Sequence, residues 1–184
     1  MKIIGLDLSL TSTGYSINEK TGVIVSKNKG PARLSEINKI VLQLCLDNDI
    51  ELAVIESYSF ASRNSQAHSI GELGGCIRMT LWECKIPYID VPPTCRAKFA
   101  TGKGNASKGE VISSISAKTG MVFSGAGGND ECDAWVLEQM GLTMAGLSKW
   151  EWTKEQLSAM DKVDWANLEK LQSGKNENIT NQSS

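Results

Sequence analysis

Asp7 and Glu56 stand where acids are least at home. Each closes a short apolar run, Ile3-Ile-Gly-Leu-Asp7 and Leu52-Ala-Val-Ile-Glu56, and an ionised carboxylate buried without a partner is costly or has its pKa pushed upward. A second pair, Asp130 and Asp133, follows the glycine-rich stretch Ser124-Gly-Ala-Gly-Gly-Asn129. Asn129 is a good N-cap for a helix carrying Asp130, Asp133, Ala134, Val136, Leu137 and Met140, and acids three apart share one face of its first turn. If neighbouring strands join Asp7 to Glu56 and that helix faces them, four carboxylates crowd one spot, and a divalent cation would relieve their repulsion. Hard oxygen ligands, with neither a histidine cluster nor a cysteine pair, favour Mg²⁺ or Mn²⁺ over Zn²⁺. Two such ions roughly 3.5–4 Å apart would activate a water and stabilise the leaving oxygen in phosphodiester hydrolysis, with no side-chain nucleophile. The same acids also suit structural roles, Asp7 capping a turn, Glu56 starting a loop, and Asp130 with Asp133 favouring a helix dipole. Spacing alone leaves both readings open.

These acids need elements to carry them. Ile3 to Leu8 predicts a strand buried on both faces. Tyr15-Ser-Ile17 and Val23-Ile-Val25, separated by Asn18-Glu-Lys-Thr-Gly22, predict a hairpin and hence an antiparallel start. Leu34, Ile37, Val41, Leu44 and Cys45 recur at helical spacing before the Leu52–Ile55 run. Ile70, Leu73, Ile77 and Leu81 mark a second helix, and Ile86 to Val91 a strand stopped by Pro92-Pro93. That alternation predicts an α/β fold with parallel pairing of the later strands, a mixed central sheet flanked by helices. Ser107-Lys-Gly-Glu110 is a capping box that starts a helix from about Lys108 to Lys118, after a loop over Thr101 to Asn105. Residues 1–146 form the expected nuclease-type domain, and 147–184 a C-terminal helical extension in which Trp150, Trp152 and Trp165 anchor a tail that is frayed and polar from Ser173.

Composition bounds the alternatives. The 184 residues are 41% hydrophobic and 22% charged, ordinary for one folded domain. Five cysteines, Cys45, Cys76, Cys84, Cys95 and Cys132, form no C-x-x-C pair, and their odd number rules out a fully paired intrachain framework. Asp7 interrupts what would be a signal peptide's apolar region, and no run is long enough to span a bilayer, so a soluble, cytoplasmic protein is expected. Asn178-Ile-Thr180 and Asn181-Gln-Ser183 then match the glycosylation pattern by chance. A net charge of -2 argues against general coating of nucleic acid. Between Thr94 and Lys118, however, Arg96, Lys98, Lys103, Lys108 and Lys118 face the single acid Glu110, and a phosphate-binding face fits there.

The ordered set Ile4-Gly-Leu-Asp7-Leu-Ser-Leu-Thr-Ser-Thr-Gly14-Tyr15, Val54-Ile-Glu56 and Asp130-Glu-Cys-Asp133-Ala134 resembles the three acidic motifs of the RuvC family of Holliday junction resolvases. Ile70-Gly-Glu-Leu-Gly-Gly75, Val91-Pro-Pro-Thr94 and Lys98-Phe-Ala-Thr-Gly-Lys-Gly-Asn-Ala-Ser-Lys108 are similar to its phage-encoded branch. The resemblance spans roughly Met1 to Leu142. It implies an RNase H-like fold, a homodimer, two Mg²⁺ ions and paired nicks across four-way DNA junctions, with Asp7, Glu56, Asp130 and Asp133 as the catalytic, metal-binding acids. Lys98 and Lys108 resemble its basic positions near the scissile phosphate, Lys108 being counted with the catalytic set. Tyr58 and Phe60 follow Glu56 where the family carries an aromatic wedge against opened bases. Lys103 and Arg63 complete the expected DNA contacts.

Other signals are weaker. Gly102-Lys-Gly104 lacks the full P-loop pattern. His68 has no local partner, and Glu131 should face away from its acidic neighbours. Trp82 and Trp135 fit core or dimer contacts. Sugar kinases and actin-like ATPases share the Gly-Leu-Asp…Thr-Gly opening but need a second, related domain. A looser flap or branched-DNA nuclease, or a junction-binding module that does not cut, remain as alternatives.

Overall fold

The computed structural model describes residues 1–57 and 66–181, the side chains of 66–70 and 175–181 excepted. Its centre is a sheet of order β3-β2-β1-β4-β5, formed by β1 (Ile3–Asp7), β2 (Thr13–Ile17), β3 (Lys20–Ile24), β4 (Leu52–Glu56) and β5 (Tyr88–Val91). β1, β2 and β3 pair antiparallel, while β1–β4 and β4–β5 are parallel. This is the mixed sheet that the alternation of elements predicts.

Period-2 alternation sorts the strand side chains onto two faces. Ile4, Leu6, Ala53 and Ile55 pack with α1 (Gly30–Asp47) and α2 (Gln66–Glu83), through Ile37, Val41, Leu73, Ile77 and Leu81. Ile3, Leu52, Val54, Ile89 and Val91 face the other way. They bury against α3 (Pro93–Thr101), α4 (Lys108–Thr119) and α5 (Gly128–Met144), with Phe99, Ile115, Trp135 and Leu137 filling the space between.

α5 lies directly over β1 and β2 because those strands carry glycine where it crosses. A Cβ on Gly5 would fall 2.1 Å from the Ala134 carbonyl oxygen, and one on Gly14 would fall 2.0 Å from that of Asp130. Both obstacles are backbone, so any side chain would push the helix off the sheet. Glu138 adds a polar clamp, accepting from Ser16 Oγ at 2.5 Å and from the Glu19 backbone N–H at 3.2 Å.

Local structure departs from expectation in four places. The hairpin turn is tighter, because Asn18 and Glu19 both adopt positive φ (52° and 61°) and Ile17 pairs with Lys20, the left-handed pair of a two-residue loop. α3 has no counterpart among the predicted elements. Its Pro93 occupies the first turn, where a missing N–H does no harm, so the proline pair that stops β5 also starts a helix. α5 begins before Asn129, with Gly127 at its N-cap and no side-chain cap. A Cβ at Gly127 would lie 2.7 Å from Val23 Cγ1, so a side chain at the helix start would press on Val23. Beyond Ser173 the chain continues as α7 (Ala166–Asn181). The capping box on α4 forms as expected, with Gly120 closing the helix at φ 75°.

After Gly146 the chain passes α6 (Lys154–Leu157) and a 3₁₀ turn, Met160–Lys162, then enters α7. Trp165 and Leu168 are buried in the same core as α3 and α5. The Trp152 ring lies 4.2 Å from that of Phe99, and Trp150 Nε1 donates to Glu19 Oε1 at 2.8 Å.

Candidate active site

Strand alternation places the acids. Ile3, Gly5 and Asp7 point to the α5 face of β1, and Leu52, Val54 and Glu56 to the same face of β4. The parallel register pairs Leu6 with Ile55, so Asp7 and Glu56 emerge side by side at the carboxyl ends of the two strands, where α/β sheets bind ligands. Gly14 pairs with Asp7 across β2, and its missing Cβ admits the first turn of α5. That turn delivers Asp130 and Asp133 to the same end. Glu131, between them, turns to β3 and accepts from Thr21 Oγ1 at 2.9 Å.

A cation already stands among these acids. Arg96, one turn into α3 and only 7% exposed, donates through Nε to Glu56 and through Nη1 to Asp133. Burial works against its charge, but Glu56 and Asp133 outweigh that and hold its pKa above the ordinary arginine value. Lys108, at the start of α4, brings Nζ to 3.9 Å from Asp130 Oδ1. Crowding shows in the titration of the carboxyls. Burial first, then Glu56 and Asp133, push Asp7 up to about 8 against the pull of Arg96. Burial also raises Asp133 to about 6, with Arg96 opposing and Glu56 adding to the rise. Cys132, buried beside them, is pushed up to about 12 by desolvation and then by Asp133.

The donor set has the chemistry of a hard divalent ion: carboxylate oxygens from four positions, with no histidine or thiolate in the group. Among the described residues no three histidine, cysteine or acidic side chains converge tightly enough to share one ion as they stand. The guanidinium of Arg96 is paired with two of the four carboxylates. Asp7, Glu56, Asp130 and Asp133 therefore fit Mg²⁺ or Mn²⁺ in kind, in a centre that is closed around an arginine.

The other candidates fall in different places. Lys98 is half-buried two residues beyond Arg96, roughly 200° around the helix axis from it. Lys103 is exposed in the loop between α3 and α4, where its backbone N–H donates to Thr101 Oγ1 at 3.0 Å. Tyr58, Phe60 and Arg63 lie outside the described residues, as does the side chain of His68. Trp135 is buried in the core, whereas Trp82 is 76% exposed. Sequence reasoning counted Arg96 only among the basic residues of its segment. Pro93 as a helix start, with Cys95 and Phe99 at i and i+4, is the signal that would have put Arg96 on a buried helix.

A sheet antiparallel on one side of β1 and parallel on the other, with acids ending its two central strands, defines an RNase H-like α/β protein. Comparison with solved structures agrees on the fold. Thermus thermophilus RuvC in complex with a Holliday junction substrate superposes with a TM-score of 0.64 at 20% identity, over 82% of this chain and 99% of that one. A second Thermus thermophilus RuvC structure gives 0.63 at 19% identity, over 82% and 100%. No family model matches the sequence. Among curated proteins, the crossover junction endodeoxyribonuclease RuvC of Prochlorococcus marinus (strain NATL2A) is 30% identical over 126 residues, covering 62% of this chain and 81% of that protein. The same-named protein of Synechococcus sp. (strain WH7803) is 29% identical with the same coverage. The chain belongs to the RuvC family of crossover junction endodeoxyribonucleases.

Proposed function

We propose that this chain is a structure-selective DNA endonuclease that resolves four-way junctions and related branched DNA by metal-dependent phosphodiester hydrolysis. The observation that carries the reading is the gathering of Asp7, Glu56, Asp130 and Asp133, from two strands and one helix, at one end of the sheet around a buried cation. These four acids would hold two Mg²⁺ ions, with Mn²⁺ as a substitute. Bound there, such ions supply an activated water and charge stabilisation of the leaving oxygen. The chain's own groups do the rest. Lys108, exposed and beside Asp130, is placed to bind the scissile phosphate and is the basic residue assigned to catalysis. Lys103, exposed in the loop between α3 and α4, would meet phosphates beyond it, and Lys98 keeps only the DNA-contact role that family resemblance gives it. Tyr58 and Phe60 keep the DNA-contact role that family resemblance gives them, and Arg63 the phosphate contact expected from its charge.

Paired nicks across a junction require two centres, and a twofold dimer provides them. α2 offers a surface for it. Gly75, Met79 and Trp82 recur along one exposed side of that helix, with Met79 56% exposed and no atom within 4 Å of a Cβ on Gly75. A small residue beside two large apolar ones lets a symmetry-related helix approach closely and bury them. Sedimentation should give a dimer that Trp82→Lys converts to monomer, and a wild-type monomer that still makes paired nicks would contradict the assembly. Residues 1–146 form the nuclease domain in this reading, and 147–184 a C-terminal extension whose Trp165 and Leu168 join the same core. Among the described residues no helix is long and apolar enough to cross a membrane.

The decisive experiment measures cleavage of a synthetic four-way junction beside flap, single-stranded and RNA-containing substrates, with Mg²⁺, Mn²⁺ or EDTA. Paired nicks in the junction are expected with metal and lost in Asp7→Asn. Cleavage that survives the substitution rejects the assigned centre. Junction binding without nicks in both metals would mark a binding module, and equal cutting of flaps a looser branch nuclease.

A further inference from the structure

Arg96 holds two of the four carboxylates that a divalent ion would need. We propose that Arg96 is an internal counter-cation that competes with metal for Glu56 and Asp133, keeping the centre closed until a divalent ion displaces the guanidinium. The inference rests on the reading that these acids bind metal, and it concerns what must move for them to do so.

Three observations lead there. Arg96 is almost wholly buried, and its guanidinium bridges two elements, reaching Glu56 at the end of β4 and Asp133 in the first turn of α5. A buried guanidinium is tolerated only when paired, and removing its partners is strongly unfavourable. A metal ion that took Glu56 Oε2 and Asp133 Oδ1 would strip the guanidinium of both partners and displace it. Arginine also cannot escape by losing its proton, so the guanidinium has to swing away as a charged group. The path is on the Glu56 side, where that carboxylate is 18% exposed, against 4% for Asp133 within. Asp7 and Asp130 complete the argument. Neither forms an ion pair with Arg96 among the described residues, and Asp130 lies 3.9 Å from the ammonium of Lys108. An arriving ion would thus meet two acids not hydrogen-bonded to the guanidinium and two engaged by it.

The consequence is measurable. Apparent affinity is reduced by the fraction of molecules in which the ligands are free. A closed form favoured by about ten to one makes metal binding about tenfold weaker than the open centre allows. Removing the competitor should recover that factor.

The test titrates full-length protein with Mn²⁺ alone, without DNA, by calorimetry, comparing wild type, Arg96→Met and Asp7→Asn. Heat that vanishes in Asp7→Asn belongs to the centre. Arg96→Met is expected to bind Mn²⁺ at least about tenfold more tightly than wild type, and its melting temperature should rise more on adding Mn²⁺. Equal or weaker binding by a folded Arg96→Met protein overturns the exchange, because Arg96 would then be organising the ligands rather than competing for them. If neither wild type nor folded Arg96→Met binds Mn²⁺, the metal reading falls as well, so the two failures are distinguishable. Should Arg96→Met not fold, wild type carries the test by nuclear magnetic resonance. The Arg96 Nε–Hε signal, assigned by its loss in Arg96→Lys, is expected to lose protection from solvent exchange as Mg²⁺ saturates the centre. A signal still protected at saturation overturns the proposal.

Discussion

Glu138 is a buried carboxylate on the helix that carries Asp130 and Asp133, two turns further along and outside the acidic centre. Desolvation pushes it up to about 7, although Ser16 and the backbone of Glu19 and Asn18 donate to it and hold it down in part. A carboxyl whose pKa is raised on folding binds more protons in the native state than in the unfolded one between the two values. Stability therefore falls as pH rises through that interval. The penalty is absent below the unfolded value near 4.5, grows up to about 7 and stays constant above. Over the whole interval it is on the order of 3 kcal/mol. In EDTA, wild type should lose stability between pH 5 and pH 8 more steeply than Glu138→Gln, which keeps an acceptor for Ser16 but no charge. Parallel melting curves for the two proteins would contradict the assignment. Lys108 makes the opposite kind of prediction. It is exposed, and ion pairs in such positions add little to stability. Lys108→Ala should leave the melting temperature nearly unchanged while slowing junction cleavage by at least about tenfold. An unchanged rate would remove Lys108 from the site.

Among the elements, α5 decides whether there is a site at all. It carries half of the acids, and the glycines of β1 and β2 let it press against the sheet. Gly5→Ala would bring a methyl group to 2.1 Å from the Ala134 carbonyl oxygen and 2.6 Å from the Glu138 backbone nitrogen, neither of which can rotate aside. Overpacking of this kind costs about 1–3 kcal/mol, and here it also moves Asp130 and Asp133 away from Asp7. A lower melting temperature together with impaired cleavage is expected. Gly174→Ala is the matched control, since nothing lies within 4 Å of its added Cβ. It should be neutral or stabilise by up to about 1 kcal/mol. If Gly5→Ala proved as benign as the control, α5 would not be seated as described.

For the molecule as a whole, the chain after Gly146 is tied through Trp165 and Leu168 into the core beneath α3 and α5. Trp165 is 6% exposed among residues of α3 and α5, and its Nε1 donates to the Met160 carbonyl at 3.1 Å. Trp165→Ala should cost about 3–5 kcal/mol, the usual range for emptying a buried aromatic site. A small loss in chemical denaturation would show that the extension merely lies on the surface.

How much of this was legible beforehand depended on whether the signal was local. Asp7 and Glu56 could be picked out because an acid ending an apolar strand is anomalous within a few residues of chain. The strand order followed from a hairpin succeeded by alternating helices and strands, and the Ser107/Glu110 cap was readable because its partners are three residues apart. Arg96 was not legible as part of the centre. Its partners lie 40 and 37 residues away in the chain, and the helix that presents it hides behind a proline pair that signals a stop as readily as a start. Gly5 and Gly14 likewise look like flexible residues until α5 is set down upon them. The sequence by itself determined which side chains bear charge and which segments must be buried, since both follow from residue type and local period. Only the tertiary structure decided that a guanidinium sits among the acids, because charge pairing depends on distance in space and chain separation does not specify it.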